Sequence, residues 1–124
     1  MIIGIGIDIV EVERIAAAIE RYGEQFLRRV YTETERAYCE RAASQRFLHY
    51  AARFAAKEAF SKAIGTGLRH GFRLCDCGVV HTESGQPQIA LSGILAERWG
   101  KYPVHLSLSH TRHYAAACVI IEAP

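Results

Sequence analysis

Ala51-Ala52-Arg53-Phe54-Ala55-Ala56-Lys57-Glu58-Ala59-Phe60-Ser61-Lys62-Ala63-Ile64-Gly65 decides how this chain folds. Alanine dominates the run, and glycine commonly closes a helix. The stretch therefore reads as the second half of a helix that Ser44 caps and Gly65 ends. At about 100° per residue it divides in two. Ala52, Ala55, Ala56, Ala59, Phe60 and Ala63 make a small-residue side that lets another element approach closely. Arg53, Lys57, Phe54, Ser61, Gly65, Glu58 and Lys62 share the other side. Cations, a carboxylate and a hydroxyl on one arc can hold an anion and its metal. The same arc also serves as a solvated face with a Glu58–Lys62 pair.

Ile2 to Val10 reads as a buried strand in which Ile3, Ile5, Ile7 and Ile9 alternate with Gly4, Gly6 and Asp8. One face is apolar and the other nearly bare, and glycines inside a strand weaken it unless something must come close to the backbone. Asp8 at the end of the bare face is placed to meet a ligand. Asp8-x-x-Glu11 also has the spacing of a capping box for the helix that follows, so two readings of Asp8 stand side by side.

That helix runs from Glu11 to Tyr22 and turns Val12, Ile15, Ala16 and Ile19 inward. Arg14 and Arg21 lie on its outer flank, with Arg28 and Arg29 beyond, an edge that suits an acidic protein partner or is plain surface. Thr32-x-x-Glu35 is a second capping-box signature, opening a helix to about Ala42. Phe72 to His81 reads as a strand, Ser84 to Pro87 as a turn and Gln88 to Leu91 as its return strand. Ser92 caps a short helix to Trp99 with Ile94, Leu95 and Trp99 inward. Val104 to Ser109 alternates with Val104, Leu106 and Leu108 on one face. His110 to His113 makes a hairpin, and Tyr114 to Ile121 is the last strand. The fold class is α+β, a mostly antiparallel sheet packed with one long central helix.

Composition narrows the function. The 124 residues, half of them hydrophobic and 23% charged, read as one domain spanning the whole chain. A net charge of +2 gives no case for nucleic acid. Cys39, Cys75, Cys77 and Cys118 lack metal-framework spacing, and free thiols suit a reducing compartment. Asp8 interrupts the first apolar run, which reads as neither signal peptide nor membrane span, so the expected location is cytoplasmic. No triad, Walker loop or dinucleotide fingerprint is present. What remains is Asp8 and Glu58, a carboxylate pair that suits Mg²⁺ because that ion keeps waters and completes its shell with substrate phosphates. Arg53, Lys57 and Lys62 would neutralise the remaining charge, which points to phosphoryl or pyrophosphate chemistry.

Gly4-Ile5-Gly6-Ile7-Asp8-Ile9-Val10-Glu11 with Arg14-Ile15, the Arg53 to Ala63 segment, and His105-Leu106-Ser107-Leu108-Ser109-His110-Thr111 followed by Tyr114-Ala115-Ala116-Ala117 resemble the bacterial holo-acyl-carrier-protein synthases. The likeness runs from Met1 to about Glu122. It implies the 4'-phosphopantetheinyl transferase fold and an enzyme of fatty acid biosynthesis. Such an enzyme moves phosphopantetheine from coenzyme A to a serine of an apo acyl carrier protein, leaving adenosine 3',5'-bisphosphate. In the family, the residues matching Asp8 and Glu58 hold Mg²⁺, and the one matching Lys62 lies beside the phosphates, which makes these three the catalytic candidates. Arg53 and His110 match residues at the adenosine end, including its 3'-phosphate, and Arg46 matches a basic residue with a similar task. Gly85 and Pro87 fit the adenine-side loop. Lys57, Ser61, Gly65, Ser109 and Thr111 complete the expected coenzyme A contacts, Thr111 standing where some relatives carry Asp. Carrier docking is expected on Arg14, Ile15, Ala18 and Arg21, with Phe54 as a wall. Family members are typically homotrimers with sites at subunit interfaces. Glu58, Lys62 or a metal-held water are all open as general base. A nucleotide pyrophosphohydrolase and a coenzyme A-binding module are the alternative readings.

Overall fold

The computed structural model describes residues 1–124. The first strand, β1 (Ile2–Glu11), leads into α1 (Val12–Tyr22), α2 (Glu24–Val30) and α3 (Glu33–Arg41). A 3-10 turn at Ala43–Gln45 then enters the central helix α4 (Arg46–Ala63). The second half holds β2 (Cys77–His81), β3 (Pro87–Leu91), α5 (Gly93–Trp99), β4 (Val104–His110) and β5 (Tyr114–Glu122). The strands form two antiparallel sheets, a three-stranded one in the order β1-β5-β4 and the β2-β3 hairpin. No helix is long and apolar enough to cross a membrane.

α4 is the centre of the molecule. Tyr50, Ala51, Ala52, Ala55, Ala56, Ala59 and Phe60 are buried on it. The inner face of β5, Ala115, Ala117, Val119 and Ile121, is buried as well. Gly65 ends the helix region at φ 84°, a left-handed conformation that glycine adopts without penalty. The small-residue side of the helix does what its composition predicts. A Cβ added at Gly4 would stand 2.2 Å from the Ala63 carbonyl oxygen, and one at Gly6 would stand 1.9 Å from that of Ala59.

This contact covers one face of β1 and leaves the other open, so the strand is not buried on both sides as expected. The glycine face is the covered one, because only a bare backbone can lie that close to a helix. The isoleucine face is turned outward, with Ile3 at 47% exposure, Ile5 at 66% and Ile7 and Ile9 at 67%. Other sequence-based expectations change too. Asp8 and Glu11 form no capping box, since β1 continues to Glu11 and no side chain caps α1. Thr32 and Glu35 do form one. Ser44 lies in the 3-10 turn and Gln45 holds the N-cap position of α4. The Phe72–His81 strand is confined to Cys77–His81, with a 3-10 turn over Leu74–Asp76 before it. Ile94 of α5 points outward, while Leu95 fills the core. α2 has no counterpart in the sequence reading.

Gly6→Ala is expected to lower folding stability by about 3 kcal/mol, since the methyl collides with backbone that cannot move aside. Urea denaturation measures it, with Gly85→Ala as the comparison, where only the φ of 88° and no packing opposes the change.

Candidate functional site

The bare face of β1 continues from Gly4 and Gly6 to Asp8, and that periodicity brings Asp8 to the edge of α4. Lys62 Nζ donates to Asp8 Oδ1 at 3.0 Å and to the Ile7 carbonyl at 3.0 Å. Glu58, one turn before Lys62, joins them. Burial pushes the Glu58 carboxyl above its ordinary range and the Asp8 charge adds to the effect, while Lys62 and Arg14 oppose it. Asp8, Glu58 and Lys62 are thus one electrostatic unit built from two elements 50 residues apart in the chain. The pair is partly exposed at the surface, and no group of three or more His, Cys, Asp or Glu side chains surrounds it or occurs elsewhere.

The rest of the charged arc of α4 does not face that unit. Lys57 has no exposed side-chain surface and neither has Glu35. Lys57 Nζ donates to Glu35 Oε1 at 2.7 Å, to the Cys77 carbonyl at 2.7 Å and to the Leu74 carbonyl at 3.2 Å. Glu35 also accepts from the backbone N–H of Thr32 at 2.9 Å and of Val79 at 3.1 Å. This network ties α3, α4 and β2 together and leaves Lys57 no proton for a ligand. Ser61 is buried and donates to the Glu58 carbonyl at 2.6 Å. Arg53, 1% exposed, lies against Tyr38 on the same side as Lys57.

The remaining candidates occupy separate places. His110 and Thr111 at the end of β4 share a cavity of about 460 Å³ with Ser44, Gln45, Phe47 and Leu48 at the start of α4. Ser109 is exposed just before them. Arg46 is held by Glu40, with Nε at 2.8 and 2.9 Å from its two oxygens. Gly85 and Pro87 shape the β2-β3 hairpin tip, away from the carboxylates in sequence and in pairing. On α1, Arg14 and Arg21 are exposed and Ala18 is half-buried, but Ile15 is 3% exposed and belongs to the core. Phe54 is half-buried. Glu35, the partner of Lys57, is not among the residues the sequence singles out for the site. His49 was within reach of the pattern, since it precedes Arg53, Lys57 and Ser61 at intervals of four on α4.

Similarity to known proteins covers the whole fold. The family model of the 4'-phosphopantetheinyl transferase superfamily matches residues 4–119. The chain is 50% identical to a holo-[acyl-carrier-protein] synthase of Solibacter usitatus over 125 residues, covering 98% of this chain and 99% of the relative. It is 52% identical to that of Caulobacter vibrioides over 130 residues, covering 99% and 97%. The crystal structure of the Bacillus anthracis synthase in complex with CoA (3',5'-ADP) superposes with a TM-score of 0.84 at 38% identity, over 100% of this chain and 99% of that one. The Neisseria meningitidis synthase superposes with a TM-score of 0.88 at 36% identity, over 99% and 100%.

The buried network gives a stability prediction of its own. Lys57→Met leaves Glu35 charged and unpaired and is expected to cost about 3–5 kcal/mol. The Glu35→Leu, Lys57→Met double variant is expected to lose less than the single one. Chemical denaturation of both variants checks the ordering.

Proposed function

Since the chain belongs to the holo-[acyl-carrier-protein] synthases of the 4'-phosphopantetheinyl transferase superfamily, we propose that it transfers the 4'-phosphopantetheine arm of coenzyme A to a serine of an apo acyl carrier protein. The observation that carries this reading is the joining of Asp8, Glu58 and Lys62 across β1 and α4. The serine oxygen bonds to the phosphorus next to the pantetheine arm. The bond from that phosphorus to the bridging oxygen breaks, the serine proton is lost, and adenosine 3',5'-bisphosphate leaves.

Asp8 and Glu58 fit a divalent cation. Their donors are hard oxygens, and the mutual repulsion that helps raise the Glu58 carboxyl is relieved by such a charge. Two carboxylates leave most of a coordination shell to water and substrate phosphates, which is how Mg²⁺ is commonly held. When bound, the ion would polarise the pyrophosphate and neutralise charge on the departing nucleotide. Lys62 adds a cation at the same edge, and its exposed ammonium can turn from Asp8 to a phosphate oxygen. Arg53 and His110 are assigned to the adenosine end, with Arg46, Ser109, Thr111 and the Gly85–Pro87 tip as further contacts. Lys57 and Ser61 support this assembly from inside.

Delivery of the serine falls to α1. Arg14 is exposed, yet its charge reaches Glu58, so a partner docked on Arg14 and Arg21 borders the carboxylate unit. An acidic helix of the carrier matches those cations in sign. Ala18 and Phe54 offer apolar contact, whereas Ile15 acts only by packing. The outward isoleucines of β1 support self-association: a contiguous apolar stripe on a sheet face marks an interaction surface. A second copy is its proposed occupant, in a three-fold ring whose sites combine residues of adjacent subunits.

Incubation with coenzyme A, Mg²⁺ and apo carrier protein is expected to add a phosphopantetheine mass to the carrier. Nucleotide cleavage without that gain would instead identify a hydrolase. Asp8→Asn and Glu58→Gln are each expected to lower transfer by about two orders of magnitude. Mg²⁺ is also expected to raise the melting temperature of the parent chain and not that of either variant, as read by calorimetry. For the assembly, Ile7→Lys is expected to shift the mass in analytical ultracentrifugation from trimer to monomer and to reduce transfer with it.

A further inference from the structure

α2 is short, and its buried residues Leu27 and Val30 are spent on the core. Its last turn therefore presents Arg28 and Arg29 to solvent. Opposite them runs the segment that joins α4 to β2. Its apolar residues are only partly covered: Leu68 is 43% exposed, and Phe72 and Leu74 are half-buried. Between the two elements lies a cavity of about 620 Å³, lined by Arg28, Arg29, Arg73, Leu68, Phe72 and Leu74. Its lining is held in place from inside. Phe72 meets Phe60, which has no exposed surface, and the Leu74 carbonyl accepts from Lys57 Nζ.

The charge of this cavity is unbalanced. No carboxylate lines it. Arg28 has Glu24 at 3.3 Å, but both side chains are more than two-thirds in solvent, and such a pair contributes little. Arg73 Nη2 stands 3.8 Å from Cys75 Sγ, a weak acceptor. Arg29 has no ion-pair partner. Asp76, the acid next along the chain, accepts from Ser92 Oγ at 3.3 Å and lies against Gly93 instead. A cavity of this volume is in the range that holds a small organic molecule. Guanidinium forks match the two oxygens of a carboxylate, and the half-covered Leu68, Phe72 and Leu74 match hydrocarbon.

We propose that this cavity binds a single-chain aliphatic carboxylate, with its head between Arg29 and Arg73 and its chain along Leu68, Phe72 and Leu74. The site shares no residue with the coenzyme A contacts assigned above, so it stands or falls apart from that reading.

Titration calorimetry on the whole chain, without coenzyme A, tests it with dodecanoate below its micelle-forming concentration. Saturable binding of one dodecanoate per chain is expected. Affinity is expected to fall by up to about fourfold for each methylene removed toward octanoate, and acetate is expected not to bind. Dodecyltrimethylammonium, with the same chain and the opposite charge, is expected to bind at least tenfold more weakly. The Arg29→Gln, Arg73→Gln double variant changes two exposed side chains, and circular dichroism checks that it keeps the fold. It is expected to bind dodecanoate at least tenfold more weakly than the parent, whereas Ile7→Lys is expected to bind it unchanged. Absence of saturable binding overturns the proposal, and so does equal affinity for the ammonium probe. An affinity kept in the double variant, or lost in Ile7→Lys, places the chain elsewhere and overturns it too. A double variant with a raised KM for apo carrier protein, where the parent binds no dodecanoate, gives the arginines to the carrier instead.

Discussion

Everything in this structure depends on how closely β1 lies against α4. The space a side chain would fill at Gly4 and Gly6 is taken by the carbonyl oxygens of Ala63 and Ala59. Such an approach requires glycine on one element and small residues on the other, and both are present in register. Its consequence for the site is positional. Asp8 is the next residue on the glycine face, so the spacing that seats β1 also carries a carboxylate to the edge of Glu58 and Lys62. Its consequence for the surface is the reverse. A strand that spends its bare face on the helix must present its isoleucines on the other side.

α4 answers with different chemistry on each side. Its alanines meet β1 and β5, its Glu58–Lys62 edge remains partly open, and its Lys57–Arg53–His49 stripe enters the seam with α3 and β2. Within that seam the Glu35–Lys57 pair has every donor and nearly every acceptor in use. Burying two charges is not in itself strongly stabilising, but separating them is severe. The pair therefore restricts how α3, α4 and β2 can be arranged more than it adds to their stability. Arg53, one turn along, lacks the carboxylate that Lys57 has, and this difference between adjacent cations separates a structural group from one suited to an anion.

Much of this was legible in the sequence, and the misses have physical reasons. The long helix, its alanine contact, the β4-β5 hairpin and the Asp8–Glu58 pairing follow from periodicity, composition and family motifs. β1 reads as a buried strand, yet only its glycine face is covered, because the close contact is made by backbone and leaves the isoleucines facing outward. The two capping-box spacings were equivalent on paper. Thr32 lies in the two-residue link between α2 and α3 and caps α3, while Asp8 lies inside a strand that continues to Glu11. Lys57 looked like a phosphate ligand because helix spacing shows which residues share an arc, not where that arc becomes buried. Its partner Glu35 is 22 residues away, beyond the reach of any local pattern.

The single chain also leaves the proposed coenzyme A contacts apart. The carboxylate unit is at the β1–α4 edge, His110 lines a cavity at the other end of α4, and Gly85–Pro87 caps a hairpin in a different sheet. Lys62 and Leu48 stand 14 residues apart on α4, about 21 Å along its axis, so a single nucleotide would have to lie along the helix to reach both. In the assembly proposed above, a neighbouring copy on the isoleucine face would let one subunit's carboxylates meet another's histidine end. On this reading the exposed stripe and the divided site have one cause. The glycines that bring Asp8 to α4 also turn outward the isoleucine surface on which the proposed assembly rests.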